Sequence, residues 1–137
     1  MKWAQSLIRI SNYEVEMLQK RLAEVVDRRT ALDMRLAALA AEEEAEQRHA
    51  DENAEARIYL AGFKQGVAIR RDKLQRELAA VMLEEQGARD ALSEAFEALK
   101  KFEKVAENYR LAEAAETKKK ETAAFDELNI NRRKTGT

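Results

Sequence analysis

One side chain in the sequence could both bind a metal and move a proton near neutral pH. His49 lies in Glu46-Gln47-Arg48-His49-Ala50-Asp51-Glu52. At helical spacing Glu46, Glu52 and Asn53 can approach its imidazole, which outlines a small carboxylate–imidazole cation site. Zinc sites generally need further His or Cys ligands, and the chain has a single His and no Cys. A lone His in an acidic, solvated helix is the ordinary case, so neither a metal nor any other cofactor is expected. No phosphate-cradling glycine loop and no nucleophile elbow is present. The chain is expected not to be an enzyme and to act by contact with partner proteins.

The elements that carry these residues follow from composition. The chain has 137 residues, no Pro, four Gly, 37% charged and 45% apolar side chains, and few aromatic ones. Such a mixture suits long helices and coiled coils, with apolar area spread along a seam. A net charge of −1 exerts no overall pull toward nucleic acid or an anionic membrane. The opening Met1-Lys2-Trp3-Ala4-Gln5 lacks the apolar run of a signal peptide, and nothing approaches the roughly 18 apolar residues of a membrane span. Absence of Cys removes any disulfide framework. The expectation is a soluble, intracellular, cytosolic protein that meets membranes only through its partners.

A heptad frame runs Ala4, Ile8, Ser11, Val15, Leu18, Leu22, Val25, Arg29, Leu32, Leu36, Leu39, with nine of its eleven positions apolar. A second runs Leu74, Leu78, Val81, Glu85, Ala88, Leu92, Ala95, Leu99, Phe102, Ala106, Tyr109, broken only at Glu85. A period of 3.5 residues held this long marks a coiled-coil seam. The fold class expected is all-α: two long helices in an antiparallel coiled-coil hairpin. Gly62 and Gly66 place the tip near residues 60–67. Helix 1 then covers about 3–60, the tip about 61–66 and helix 2 about 67–128, with residues 129–137 frayed. All 137 residues form one domain, a rod with arms of roughly 90 Å and both termini at its open end.

A tip centred near residue 64 pairs residues whose numbers add to about 128, since facing numbers in an antiparallel pair have a constant sum. Leu18 meets Tyr109, Leu22 meets Ala106 and Val25 meets Phe102. Further on, Leu32 meets Ala95, Leu36 meets Leu92 and Leu39 meets Ala88. Arg29 falls against Leu99, while Glu52 lies beside Arg76 and Glu55 beside Lys73.

Apolar surface also lies outside the seam. Trp3, Leu7, Ile10 and Met17 form a second stripe, with Tyr13 close by. Either Phe125, Leu128 and Ile130 fold back over it, or it receives a partner. Near the tip, helix 1 offers Glu43, Glu46, Ala50, Asn53 and Arg57 in frame, against Leu74, Leu78 and Val81 with Met82 and Leu83 beside them. This lopsided seam either docks another protein or shifts frame to pack Ala45, Ala50 and Ala54 on the leucines. The basic runs Lys118-Lys119-Lys120 and Arg132-Arg133-Lys134 suit the negative end of a helix. Acidic neighbours dilute them and no aromatic platform interleaves, so nucleic acid is not an expected partner.

The whole chain resembles the FliJ family of flagellar export proteins. Three features carry the resemblance. They are the length with a midpoint hairpin, the opening Leu7-Ile8-Arg9-Ile10 with Glu14-Val15-Glu16-Met17-Leu18-Gln19-Lys20-Arg21-Leu22-Ala23-Glu24, and the closing Lys118-Lys119-Lys120-Glu121 with Phe125-Asp126-Glu127-Leu128 and Arg132-Arg133. The resemblance implies a stalk-like cytoplasmic component of the flagellar type III export apparatus at the basal body. It would bind the export ATPase ring through Trp3, Leu7, Ile10, Phe125, Leu128, Arg132 and Arg133. It would face the export gate protein FlhA through Leu74, Leu78, Val81 and Met82, and take part in recycling export chaperones. The chain departs from the family pattern late in helix 1, where Glu and Ala stand in place of aromatic residues. An export chaperone and a generic scaffold coiled coil are the competing expectations.

Overall fold

A computed structural model describes residues 2–135. It contains two helices, α1 (Lys2–Glu52) and α2 (Ala54–Thr135), and no strand among the described residues. Two compact units are distinguished. One is Val15–Glu94, and the other joins Met1–Glu14 to Ala95–Thr137.

The Val15–Glu94 unit is the antiparallel hairpin. Its core is Val25, Leu32 and Val81, with Leu74 and Leu78 packed against them. Burying each such side chain contributes roughly 1.5–3 kcal/mol. The helix-1 frame is the covered face of α1. All eleven of its positions from Ala4 to Leu39 are buried or half-buried, and Leu18, Leu22 and Leu36 are among the half-buried. In α2 the covered face includes Val81, Glu85, Ala88 and Leu92, and in the other unit Ala95, Leu99, Phe102 and Ala106. Tyr109, the last frame position, is 45% exposed.

The chain reverses at Asn53, not at the glycines. The Asn53 N–H donates to the His49 carbonyl at 3.0 Å, closing the last turn of α1. Its Oδ1 accepts from the Glu55 N–H at 2.9 Å, which makes Asn53 the N-cap of α2. Arg57 Nε donates to the Ala50 carbonyl at 3.0 Å, satisfying an acceptor that the end of α1 would otherwise leave open. The tip expected over 61–66 is therefore corrected: Gly62 and Gly66 lie inside α2. Each glycine destabilises the helix by roughly 1 kcal/mol relative to Ala, a cost the continuous helix bears at both positions. Val67 and Ala50 are both wholly buried.

The register moves with the tip. Arg29 meets Glu85 and Glu43 meets Arg71, and each pair of numbers adds to 114. The expected sum of about 128 is larger by 14, which is two heptads, and a heptad frame is unchanged by such a slide. The same side chains therefore line the seam with different partners. Leu36 does not face Leu92, nor Leu39 Ala88. Arg29 reaches Glu85 instead of Leu99. Arg76 bonds Asp72 on its own helix at 3.0 Å, not Glu52. Ala45 and Ala54 stay exposed while Glu43, Glu46 and Ala50 carry the frame onward.

The terminal unit has a pairing of its own. There Ala4, Gln5 and Ile8 share a groove with Ala106, Tyr109 and Arg110, so the start of α1 lies beside that part of α2. From Leu111 to Thr135 every residue is exposed except the half-buried Asn129. The start of α1 is not beside the end of α2, and Phe125, Leu128 and Ile130 stay exposed and do not cover the N-terminal stripe. The segment expected to fray from 129 is helical to Thr135; residues 136–137 lie outside the described residues.

Candidate interaction surfaces

The seam contains two ion pairs at frame positions. Arg29 Nη1 lies 2.8 Å from Glu85 Oε1 and hydrogen-bonds Oε2 at 2.9 Å. Arg89, one turn on, donates through Nε to the same Oε2 at 3.2 Å. Glu85 is only 8% exposed, and its Oε1 is buried without a well-directed hydrogen bond. Arg71 and Glu43 form the second pair, also partly buried. Flanking them, Arg28 binds Glu84 and Arg70 lies 3.9 Å from Glu42. Desolvating such charges offsets much of their attraction, so their contribution is chiefly to specificity. In a register slid by one heptad Arg29 and Glu85 would each face an apolar residue, and that mismatch selects the observed pairing.

The frame residues proposed for the export gate are largely consumed by this seam. Leu74 and Leu78 pack on the Val25–Leu32–Val81 core, and Val81 is 7% exposed. Of that set only Met82 is open, at 54%, with Leu83 beside it. The expected lopsided seam is absent because the slide places long α1 side chains opposite these leucines.

At the other unit the residues assigned to the ATPase ring split into two groups. Trp3 and Ile10 are exposed and Leu7 half-buried on α1. Phe125 and Leu128 are exposed on the stretch of α2 past Glu113, where Arg132 and Arg133 follow. Phe125, Leu128 and Arg132 line one shallow groove with Asn129, Asn131 and Thr135. Phe125 is 12 residues beyond Glu113, the last residue of the groove shared with Ala4, or about 18 Å along the helix. Trp3 and Phe125 therefore do not form one patch. The stretch from Ala114 to Thr135 is a bare helix about 33 Å long. Its signal in the sequence is the frame itself, which past Tyr109 falls on Glu113, Glu116, Lys120, Ala123 and Glu127.

Beside the groove at Ala4, Arg110 grips Glu107 through Nη2–Oε1 at 2.6 Å and Nε–Oε2 at 3.0 Å. That hydrogen bond, reinforced by the guanidinium charge, holds the Glu107 carboxyl below its ordinary value and raises Arg110. His49 is exposed in the last turn of α1, and the neighbouring Asn53 is used as a cap. No cluster of three His, Cys, Asp or Glu side chains suited to a metal occurs among the described residues, and none of the described helices is long and apolar enough to cross a membrane.

A helical hairpin keyed by seam ion pairs in one unit, and a stretch of bare helix in the other, define a coiled-coil protein with exposed helix faces. Flagellar FliJ proteins from two strains of Caulobacter vibrioides, NA1000 / CB15N and ATCC 19089 / CIP 103742 / CB 15, are each 50% identical to the chain over 135 residues, 98% of it and 97% of theirs. The chain belongs to the FliJ family of flagellar proteins. No protein-family model and no solved structure matches it.

Proposed function

We propose that the protein is a cytoplasmic component of the flagellar type III export apparatus, a stalk that binds the export ATPase ring at the basal body. The observation that carries this reading is the bare α2 segment beyond Glu113 in a chain 50% identical to flagellar FliJ proteins. Phe125 and Leu128 are 63% and 66% exposed, and Arg132 and Arg133 follow them. Apolar anchors ringed by cations suit a partly acidic, partly apolar pocket in a ring. Trp3, Leu7 and Ile10 supply a separate contact at another level of the ring. Contact with the gate protein FlhA falls to Met82 and Leu83, since Leu74, Leu78 and Val81 are occupied. Traffic of export chaperones belongs to the same reading. ATP hydrolysis takes place on the ring, and the hairpin supplies geometry.

The test is a pull-down with the export ATPase together with its hydrolysis rate. Wild-type protein should bind and stimulate the ATPase. A Phe125→Ala/Leu128→Ala variant should lose about tenfold or more in affinity, because truncating a buried anchor costs upwards of 1–2 kcal/mol, while keeping its helicity. Unchanged binding by that variant would remove the assignment of this segment.

A further inference from the structure

The face of α2 turned away from α1 near the tip has a pattern that the seam does not explain. Glu55, Ile58, Gly62, Gly66, Ile69 and Lys73 follow one another at spacings of three and four, a single helical stripe. Ile58 and Ile69 are 76% and 72% exposed. A Cβ added at Gly62 or Gly66 would meet nothing within 4 Å. The fold therefore has no use for glycine at either position, though both weaken the helix. Glu55 and Lys73 are exposed, and neither enters an ion pair among the described residues.

We propose that this face pairs with the same face of a second copy of the chain, antiparallel and about a two-fold axis. The argument is self-complementarity. A two-fold contact places residue i against j and j against i. Here the acid lies at one end, the base at the other, an isoleucine inside each, and the glycines at the centre. Turning the stripe end over end sets Glu55 of each copy beside Lys73 of the other and Ile58 beside Ile69. The glycines let the helix axes come closer than the usual 8–10 Å or so, which lets the isoleucines reach the facing backbone. A partner of other composition would need no such symmetry. The face spans only about 27 Å of one helix, so the pairing is transient and concentration-dependent. It rests on this face alone and not on the reading of the bare α2 segment.

Sedimentation equilibrium on the full chain, from micromolar to millimolar, tests the proposal. Wild-type protein should pass from monomer to dimer across that range. Glu55→Lys and Lys73→Glu should each weaken the dimer about tenfold, because symmetry turns both ion pairs into like-charge contacts. The double reversal Glu55→Lys/Lys73→Glu should return to within about threefold of wild type, since both pairs re-form. Ile58→Asp should abolish pairing with unchanged circular dichroism. A chain that stays monomeric at millimolar concentration would overturn the proposal. So would a dimer indifferent to the single reversals, or one that the double reversal fails to restore.

Discussion

Two stretches of similar composition meet opposite fates. Around Val25, Leu32 and Val81, α1 and α2 cover one another and every frame position is buried or half-buried. Beyond Glu113, α2 has no partner and stays exposed almost throughout. The frame itself explains the difference. Carried past Tyr109, it falls on Glu113, Glu116, Lys120, Ala123 and Glu127, which offer little to bury. A segment of about 22 residues without tertiary cover has no packing to stabilise it, so it holds its shape as the continuation of α2 through Ala, Glu and Lys propensity and local pairs such as Lys120–Glu116 at 3.5 Å. Stability belongs to the first stretch, and the second is the one the proposed function gives to recognition.

The largest effect that can break this division lies in the seam. Leu32→Asp places an unpaired carboxylate in a site 7% exposed and should destabilise the hairpin by about 3 kcal/mol or more. Thermal unfolding followed by circular dichroism measures it, and a neutral result would remove Leu32 from the core. Next comes the key pair. Glu85→Leu alone strands Arg29 and should cost about 1–3 kcal/mol. The Arg29→Leu/Glu85→Leu double variant should return to within about 1 kcal/mol of wild type while losing uniqueness of register. Double-mutant-cycle stabilities read the first effect, and broadened distance distributions between spin labels read the second.

A smaller effect sharpens the other side of the comparison. Phe125→Ala should change stability by no more than about 0.5 kcal/mol, because the ring is 63% exposed, although on the proposed function it should weaken ATPase binding. The smallest concerns Glu107. Its folded-state carboxyl titrates below the ordinary value because Arg110 hydrogen-bonds it. The stability this adds is present above the unfolded carboxylate range and is lost as pH falls through the lower folded value. The pair is solvent-exposed, so Glu107→Gln should flatten the acid limb of the stability–pH curve only slightly.

Much of this was legible in the residues. Heptad spacing picked out the covered face of α1 from Ala4 to Leu39 and of α2 from Leu74 to Ala106, because burial follows period. Register was not legible from that period, since a seven-residue repeat matches itself after any whole number of heptads. The information lay in the interruptions. Arg29 and Glu85, the one charged position in each frame, pair across the seam, and the next frame positions outward, Glu43 and Arg71, do the same. Treating Arg29 as a defect opposite Leu99 discarded that signal. Gly62 and Gly66 drew the tip to themselves because helix propensity is local, whereas the reversal is set by how far the seam extends. Asn53 caps α2, but as one capping residue among many it stands out little in sequence. The displaced tip in turn hid the bare end of α2, and with it the separation of Trp3 from Phe125.

Register is measured most directly by paired spin labels in the Val15–Glu94 unit, which the Cys-free chain accepts at chosen sites. Labels at Arg35→Cys and Ala79→Cys should lie side by side, and labels at Arg35→Cys and Ser93→Cys should be farther apart, offset by roughly 21 Å along the helix axis. The opposite order, with 35 nearer to 93 than to 79, would contradict the turn at Asn53 and the ion-paired seam built on it.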